Sequence, residues 1–218
     1  MRTGLILVFA LVSFGPMTKD VVAKESGDWL VRVGASSLHP KGKNGGFDNP
    51  NLPGTELELD VEHGVGFEMN VSRMFTDHWA LELMATAPTE HDLKYEHGKI
   101  RDGQGWIGTI DRTSFVLNAQ YHFNPAGRFQ PYLGAGVQYS FFSGEKAFGP
   151  LEGSTFRIDD SFGPGIQMGL DAFLSERLFL NVDFRYLSMN SKLKVDGIEI
   201  TDVTLTPFAW ALHVGYLF

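Results

Sequence analysis

The sequence predicts an all-β fold, namely an eight-stranded antiparallel transmembrane β-barrel with short periplasmic turns and four long extracellular loops. Along eight segments, apolar residues alternate with polar or small ones, which indicates strands whose two faces meet different surroundings. The connections are alternately short and long, which is typical of outer-membrane barrels. After residue 23, no apolar run reaches the ~20 residues that a transmembrane helix needs, so any membrane span must consist of strands.

The first 23 residues are expected to be a signal peptide, and residues 24–218 the barrel. Arg2 gives a positive start, and Gly4–Phe14 is an apolar run of eleven residues, the length of a secretory hydrophobic segment. Small residues before Lys24 offer a cleavage position after Ala23. A buried N-terminal helix is the alternative interpretation of the same run.

The eight segments follow one another from residue 29 to the C terminus. They are Trp29–Ser36, Val65–Ser72, Trp79–Thr86, Ser114–Phe123, Tyr132–Phe141, Gly165–Ala172, Leu178–Tyr186 and Leu205–Phe218. In the last segment, the large side chains of Trp210, Leu212 and Tyr216 share one face, whereas Ala211 and His213 share the other. Aromatic residues near both ends of such a strand are typical of the two membrane interfaces.

The connections divide into two groups by length. The long ones are residues 37–63, 88–112, 143–160 and 189–204, and the short ones are Phe75–His78, Asn124–Arg128 and Leu174–Arg177. An up-and-down sheet places every other connection on the same side, so the long loops share one end of the barrel and the short turns the other. An even number of strands also returns both termini to the short-turn side, which suits export through the periplasm.

The polar and small faces of the segments are expected to line a lumen, with the apolar faces in lipid. A soluble barrel with an apolar interior and a polar exterior is the alternative. The signal segment, the aromatic strand ends and the terminal Phe218 favour lipid outside. The charged lumen residues are Arg32, Glu68, Glu82, Asp171, Asp183 and Arg185. Unpaired charges in a filled interior are costly, so the arginines should pair with the carboxylates and close the lower barrel to water and ions.

Composition narrows the possible functions. The net charge of −8 argues against nucleic acid as a partner, because phosphate binding needs a basic patch. The absence of cysteine excludes disulfides and cysteine-ligated metals. The acidic and histidine residues between His91 and His97 lack a tight ligand spacing, so we expect no metal and no cofactor there. Asp159, Asp160 and Asp202 could hold divalent cations or bridge through them to lipopolysaccharide, and a strand-entry turn is the alternative for Asp159 and Asp160.

Catalytic signatures are missing from the sequence. Ser, His and Asp are all present, but no Gly-x-Ser-x-Gly elbow or comparable motif places them together. We therefore expect that the protein is not an enzyme. Because eight-stranded barrels include a lipid A palmitoyltransferase and outer-membrane proteases, an enzyme remains the rival class.

Several motifs resemble one known family. They are Gly66–His91 (GFEMNVSRMFTDHWALELMATAPTEH), Gln120–Pro125 (QYHFNP), Phe129–Gly136 (FQPYLGAG), Asp159–Gly163 (DDSFG) and Val214–Phe218 (VGYLF). Together they resemble the outer-membrane protein W family over nearly the whole predicted mature chain. The resemblance implies an eight-stranded outer-membrane barrel with a narrow hydrophobic channel that passes small apolar molecules inward. It also implies that the terminal Phe218 is read by the barrel-assembly machinery.

The chain departs from the family pattern in places. Leu217 stands where Arg is usual, and Asp111–Ser114 (DRTS) replaces a proline-containing segment before the fourth strand. The second and third long loops are also long for the family. These departures bear on which ligand is carried rather than on the fold.

Two sets of residues are candidates for a transport path. Large apolar residues in or beside the long loops could form an apolar funnel: Leu52, Leu57, Leu59, Trp106, Phe142, Phe148, Phe156 and Phe162. Loop packing or a position in the aromatic girdle is the alternative for each. Pro164 and Pro207 lie near the extracellular starts of two strands and lack an N–H, so they could weaken the upper wall for lateral exit. Alternatively, they mark the rim, where strands begin.

These observations predict a protein of the outer membrane of a Gram-negative-type bacterium. Its expected function is passive uptake of small hydrophobic molecules, with lateral release into the membrane. The alternative is a non-transporting barrel that serves envelope integrity or surface contact. Expected partners are outer-membrane lipid and lipopolysaccharide, small hydrophobic ligands and, during biogenesis, the barrel-assembly machinery.

Overall fold

The computed structural model describes residues 23–39, 47–48, 56–61, 64–97, 105–147, 155–195 and 198–218. Most of this part of the chain is β-strand. The strands are β1 Trp29–His39, β2 Phe47–Asp48, β3 Glu56–Val61, β4 Gly64–Met74, β5 Trp79–Thr86, β6 Thr89–His97, β7 Gly105–His122, β8 Phe129–Ala147, β9 Phe156–Ile158, β10 Ser161–Phe173, β11 Leu178–Leu187, β12 Met189–Val195, β13 Ile198–Leu205 and β14 Phe208–Leu217.

Eight of these strands close into an antiparallel barrel. The order around the ring is β1, β4, β5, β7, β8, β10, β11 and β14, and β14 pairs again with β1. The closing seam joins the N- and C-terminal strands, where Ala35 lies opposite Leu212. The predicted fold class is therefore confirmed, and closure leaves these strands without an unpaired edge.

The two faces of the barrel wall differ as the alternation predicts. Leu212 and Leu180 point outward and are 52% and 44% exposed, whereas Asn118 and Gln167 are buried inside. An apolar exterior around a polar interior is the arrangement of a membrane barrel, so the soluble alternative is wrong. In the described residues, no helix is long and apolar enough to cross a membrane.

The short connections are tight turns closed by backbone hydrogen bonds. Phe75 N–H donates to the Trp79 carbonyl (2.8 Å), and Leu174 N–H donates to the Leu178 carbonyl (2.8 Å). The hydroxyl of Thr76 also accepts from the Trp79 N–H (3.0 Å). These turns fix the register of the strand pairs at the end that holds both termini.

The long connections are more regular than the sequence suggests. Residues predicted as loop form β2, β3, β6, β9, β12 and most of β13, and β7 and β8 extend well beyond the predicted segments. β6 pairs with the first half of β7, and β12 pairs with β13 and β9. Above the membrane the outward side of a strand meets water instead of lipid, so exposed positions such as Glu90 are charged. The apolar alternation that predicts the membrane strands is therefore missing, although His91 and Met189 are buried.

The lowest layer of the interior is apolar. The residues that form it are Leu30, Met74, Ala80, Phe173, Phe179 and Leu217. The Phe179 ring lies against Gly215, where an added Cβ would be 2.2 Å from the ring, so glycine makes room for this packing. An apolar floor thus closes the periplasmic end beneath the polar lumen.

Candidate functional site

The centre of the lower lumen is the guanidinium of Arg32, which is fully buried. Its Nη2 and Nε donate to the two carboxylate oxygens of Asp171 (2.8 and 3.2 Å). Its Nη1 donates to Glu82 Oε2 (3.1 Å) and to Ser72 Oγ (2.9 Å). The bidentate pair with Asp171 is the strong form of charge-assisted bonding. One cation therefore ties together β1, β4, β5 and β10.

A second buried cation enters from the N-terminal segment. Lys24 precedes β1, and its Nζ donates to Asp171 Oδ2 (2.6 Å) and lies 3.0 Å from His122 Nδ1. Burial lowers the pKa of Lys24 to about 8, although Asp171 acts in the opposite direction. This segment carries no strand pattern, so nothing in the sequence predicts that Lys24 reaches into the lumen.

Arg185 organises the next level of the lumen. Its Nη1 lies 2.7 Å from Glu68 Oε1, and its Nε lies 2.8 Å from Asp183 Oδ1. His213 joins the same group, with Nε2 3.0 Å from Glu68 Oε1 and Nδ1 2.8 Å from Asn181 Oδ1. The six charged residues expected in the lumen thus all lie there, and each carboxylate has a cation within ion-pair distance.

Neutral side chains connect the two charged levels. Tyr132 donates its hydroxyl to Asp183 Oδ2 (2.6 Å), and Gln167 Nε2 donates to Glu82 Oε1 (2.9 Å) and Asp183 Oδ2 (2.8 Å). Both residues occupy inward positions of the alternating pattern, so their polarity on that face was the available signal. We call the connected set the lower network; its members are Lys24, Arg32, Glu68, Glu82, Tyr132, Gln167, Asp171, Asn181, Asp183, Arg185 and His213.

The lower network seals the barrel. Every member is buried, and its charges are directed at one another rather than at a passage. Eight strands leave an interior that side chains can fill. A straight aqueous path through this level is therefore closed, and the ionisable groups are bound to one another instead of being free for acid–base chemistry.

Above the network the lumen changes character; we call this region the upper lumen. Its inward residues on successive barrel strands are Leu38, Gly66, Thr86, Ser114, Gln138, Gly163, Leu187 and Ala209, with Arg112, Ser140, Ser161, Met189 and Pro207 above them. Ser114, Ser140 and Gln138 are linked by hydrogen bonds (Oγ to Oγ, 2.5 Å; Oγ to Oε1, 2.8 Å) and form a polar wall. Leu187 and Ala209 belong to an apolar wall. The upper lumen therefore has two chemically different sides.

The two prolines flank the upper end of one strand, β11. Ser188 N–H donates to the Pro164 carbonyl (2.9 Å), and Leu187 N–H donates to the Pro207 carbonyl (3.1 Å). In an antiparallel hydrogen-bonded pair, the two residues exchange both bonds. Neither proline has an N–H to return, so two ladder bonds are missing on opposite sides of the same strand end. The Ser188 carbonyl instead accepts from the side chain of Gln138 (3.2 Å).

The outer wall beside this strand end carries apolar grooves. Two adjoining grooves of about 360 and 540 Å³ share Leu133, Met168 and Phe184, all of which face outward. The upper groove is also lined by Tyr186 and Phe208, which lie next to the proline-flanked end of β11. An apolar surface thus continues down the outside of β8, β10 and β11 from the place where ladder bonds are missing.

The residues proposed for an apolar funnel lie in different parts of the molecule. Leu52 and Phe148 lie outside the described residues. Leu57 and Leu59 lie in β3, Trp106 in β7 and Phe156 in β9, but the directions of their side chains are outside what the structure describes. Phe142 is half-buried at the rim. Phe162 points outward and is 63% exposed, which places it on the lipid-facing wall. No apolar funnel is therefore assembled from the described members of this set.

The expected cation sites are partly occupied by protein groups. Lys194 donates to both carboxylate oxygens of Asp159 (2.8 and 2.6 Å), and Tyr139 donates to Asp160 (2.5 Å). The side chain of Asp202 and the residues around His97 are outside the described side chains. Among the described residues, no group of three acidic or histidine side chains is arranged to hold a metal ion.

Phe218 completes the seam between the first and last strands. Its N–H donates to the Trp29 carbonyl (2.9 Å), and its side chain is exposed on the outer face. The terminal aromatic ring is therefore presented at the periplasmic edge of the barrel, where another protein can reach it.

Comparison with known proteins agrees with this architecture. The profile of the OmpW family matches residues 25–218. Outer membrane protein W of Vibrio cholerae is 30% identical over 224 residues, which cover 98% of this chain and 97% of that protein. The crystal structure of the outer membrane protein OprG from Pseudomonas aeruginosa superposes with a TM-score of 0.79 at 22% identity, over 91% of this chain and 99% of that one. The dibenzothiophene metabolism operon protein PahQ of Pseudomonas aeruginosa is 22% identical over 89% of this chain and 90% of that protein.

Proposed function

Because the chain belongs to the OmpW family of outer-membrane proteins, we propose that it is a passive channel for small hydrophobic molecules with lateral release into the membrane. The outer-membrane location follows from the family and the barrel fold. The observation that carries the proposal is the pair of missing ladder bonds on both sides of the upper end of β11. It lies between the apolar wall of the upper lumen and an outer surface lined by apolar side chains.

The lower network supports a lateral route over a straight one. A molecule that enters from outside meets the upper lumen first and then a level filled by paired charges. Passage onward would require these buried pairs to separate, which costs several kcal/mol. Release through the wall into lipid avoids that cost, and the apolar molecule never enters the water of the periplasm.

The missing ladder bonds support an exit at the upper end of β11. Leu187 donates to the carbonyl of Pro207 and Ser188 donates to the carbonyl of Pro164, and neither proline returns a hydrogen bond. The inward side of this point is Leu187, and its outward neighbours Tyr186 and Phe208 line the upper outer groove. A molecule that passes here moves from one apolar surface to another.

One relative points to the substrate class. PahQ is named for dibenzothiophene metabolism, and dibenzothiophene is a fused aromatic compound with almost no polar surface. A relative associated with such a compound is consistent with a channel for small hydrophobic molecules. The short apolar grooves on the outer wall fit the same chemistry.

The proposal predicts that filling the upper lumen stops uptake. Ala209 faces inward and is buried, so Ala209→Phe places a ring in the upper lumen. In proteoliposomes, uptake of naphthalene-sized apolar compounds is expected to fall at least about tenfold, since ~1.4 kcal/mol of added barrier gives that factor. Leu212→Phe on the outward face of the same strand is the matched control and should leave uptake unchanged. Wild-type uptake no faster than that of protein-free vesicles would favour the non-transporting structural or adhesive barrel instead.

The prolines give a separate prediction about the exit. Pro164→Ala together with Pro207→Ala supplies two N–H donors toward β11, each worth ~1 kcal/mol, so the open wall should be populated about 30-fold less. Uptake is expected to slow with little change in folding. Pro131→Ala, in the lower part of β8, is the matched control. If amide exchange shows both new N–H groups protected while uptake is undiminished, the prolines are only rim residues.

Enzyme status, lipopolysaccharide binding and recognition of the C terminus are also matters of proposal. We propose that the protein is not an enzyme, because the described buried carboxylates and His213 are engaged with one another. Contact with lipid follows from the outer-membrane location. Binding of lipopolysaccharide and recognition of Phe218 by the barrel-assembly machinery are further proposals, and the exposed position of Phe218 supports the second.

A further inference from the structure

Arg112 is a buried cation in the upper lumen that the lower network does not use. It lies on β7 with its side chain directed inward, and it is only 7% exposed. Its Nη1 reaches Met189 Sδ at 3.9 Å, and its Nε has no hydrogen-bond partner. Among the described residues, no carboxylate lies within ion-pair distance of its guanidinium.

Such a cation requires an explanation. A guanidinium stays charged in proteins, and burying it without a partner is expensive. Glu68 acts on Arg112 electrostatically, but it is already held by Arg185 (2.7 Å) and His213 (3.0 Å). Thioether sulfur is only a weak acceptor. The guanidinium of Arg112 therefore has N–H donors in the upper lumen that no acceptor among the described residues uses.

The surroundings of Arg112 define what could satisfy it. Ser114 and Ser140 lie on the polar wall, whereas Leu187 and Ala209 form the apolar wall opposite. Met189, which Arg112 contacts, directly follows the proline-flanked end of β11. An occupant with one anionic end and an apolar remainder could meet Arg112 with its head and Leu187 with its tail.

We propose that the upper lumen binds small monocarboxylates with an apolar tail, and that Arg112 is the residue that selects the carboxylate. A guanidinium binds a carboxylate through two parallel N–H···O bonds, which supplies the partner that the described chain lacks. A carboxylate is also the smallest such head, which suits the narrow interior of eight strands. This proposal rests on the proposed function in placing the ligand in the transport lumen. Arg112 also falls within the Asp111–Ser114 segment, where the chain departs from the family pattern.

The test measures binding rather than transport. The mature protein in nanodiscs of zwitterionic lipid is titrated with ¹³C-labelled hexanoate and, separately, with hexanol, and protein-free nanodiscs are subtracted. Hexanoate should bind the wild type more tightly than hexanol. Arg112→Gln should weaken hexanoate binding at least about tenfold, as expected when a hydrogen bond to a charged group is lost, and should leave hexanol binding within about twofold.

Two variants keep the test specific. Arg112→Lys retains the charge and should keep hexanoate binding within about tenfold of the wild type, above that of Arg112→Gln. Arg73→Gln removes an arginine from the outer face, where Arg73 stacks on Trp29, and should change neither ligand. Heat-modifiable gel mobility checks that each variant forms the barrel.

The outcomes separate this inference from the proposed function. If Arg112→Gln weakens hexanoate and hexanol equally, or weakens neither, the inference is overturned. It is also overturned if the wild type binds neither ligand. If hexanoate binds through Arg112 but proteoliposomes take up nothing, the carboxylate site stands and the uptake proposal fails.

Discussion

Replacing Arg32 with Met is expected to destabilise the barrel by ~3–5 kcal/mol, because it removes one partner from a buried ionic group. Arg32 and its partners Glu82 and Asp171 are fully buried. Asp171 retains Lys24 at 2.6 Å, but Glu82 loses the only cation within ion-pair distance among the described residues. The loss also leaves Ser72 without the donor that now bonds its hydroxyl.

Equilibrium unfolding in urea from lipid vesicles measures this effect. Arg73→Met is the matched control, since Arg73 lies on the outer face of the adjacent strand, opposite Trp29 in the register. The double variant Arg32→Met with Glu82→Gln should recover part of the loss, because no uncompensated carboxylate then remains at that position. A change below ~1 kcal/mol for Arg32→Met would show that water reaches the lower network and that the seal is not dry.

The wall of the barrel could be predicted from the sequence because lipid and lumen impose opposite demands on neighbouring residues. Leu180 and Asn181 face opposite sides, and the same contrast recurs through each predicted membrane segment. Outside the membrane that contrast disappears. In Thr89–His97 charged residues alternate with uncharged ones, and Glu90 is exposed where a membrane strand carries an apolar side chain, so the sequence predicts a loop there.

The lumen was predictable in its residues but not in its pairing. The alternation places Arg32, Asp171 and Glu82 inside, yet it gives no indication that Arg32 bonds both carboxylates across the barrel. That depends on strand tilt and stagger, which are properties of the closed ring. Lys24 could not be foreseen for a different reason, because it reaches the lumen from a segment without strand pattern.

At the proposed exit, too, the sequence does not predict which residues come together across strands. The sequence places Pro164 and Pro207 near the starts of two strands, but their separation along the chain conceals that both flank β11. Only the strand order brings the two missing donors to adjacent residues of one strand. Because the missing hydrogen bonds depend on which strands are neighbours in the barrel, no pattern within a single strand predicts them.

The lipid-facing wall leads to the second large effect, at Leu212. Leu212→Arg is expected to destabilise the folded barrel by ~2–4 kcal/mol, because Leu212 faces outward near the middle of β14 and a charge at the membrane midplane is costly.

Depth provides the decisive comparison. Leu178 also faces outward but begins β11 beside the periplasmic turn, and it lies opposite Tyr216, whereas Leu212 lies opposite Val182 further up the same strand. Leu178→Arg should therefore cost only ~0–1 kcal/mol, since arginine near an interface can reach water. Leu212→Ala separates the loss of the leucine from the gain of the charge. Urea unfolding in vesicles measures all three variants. Equal costs for Leu178→Arg and Leu212→Arg would contradict this placement of the barrel, because the membrane's cost for a charge depends on depth whereas a general packing defect does not.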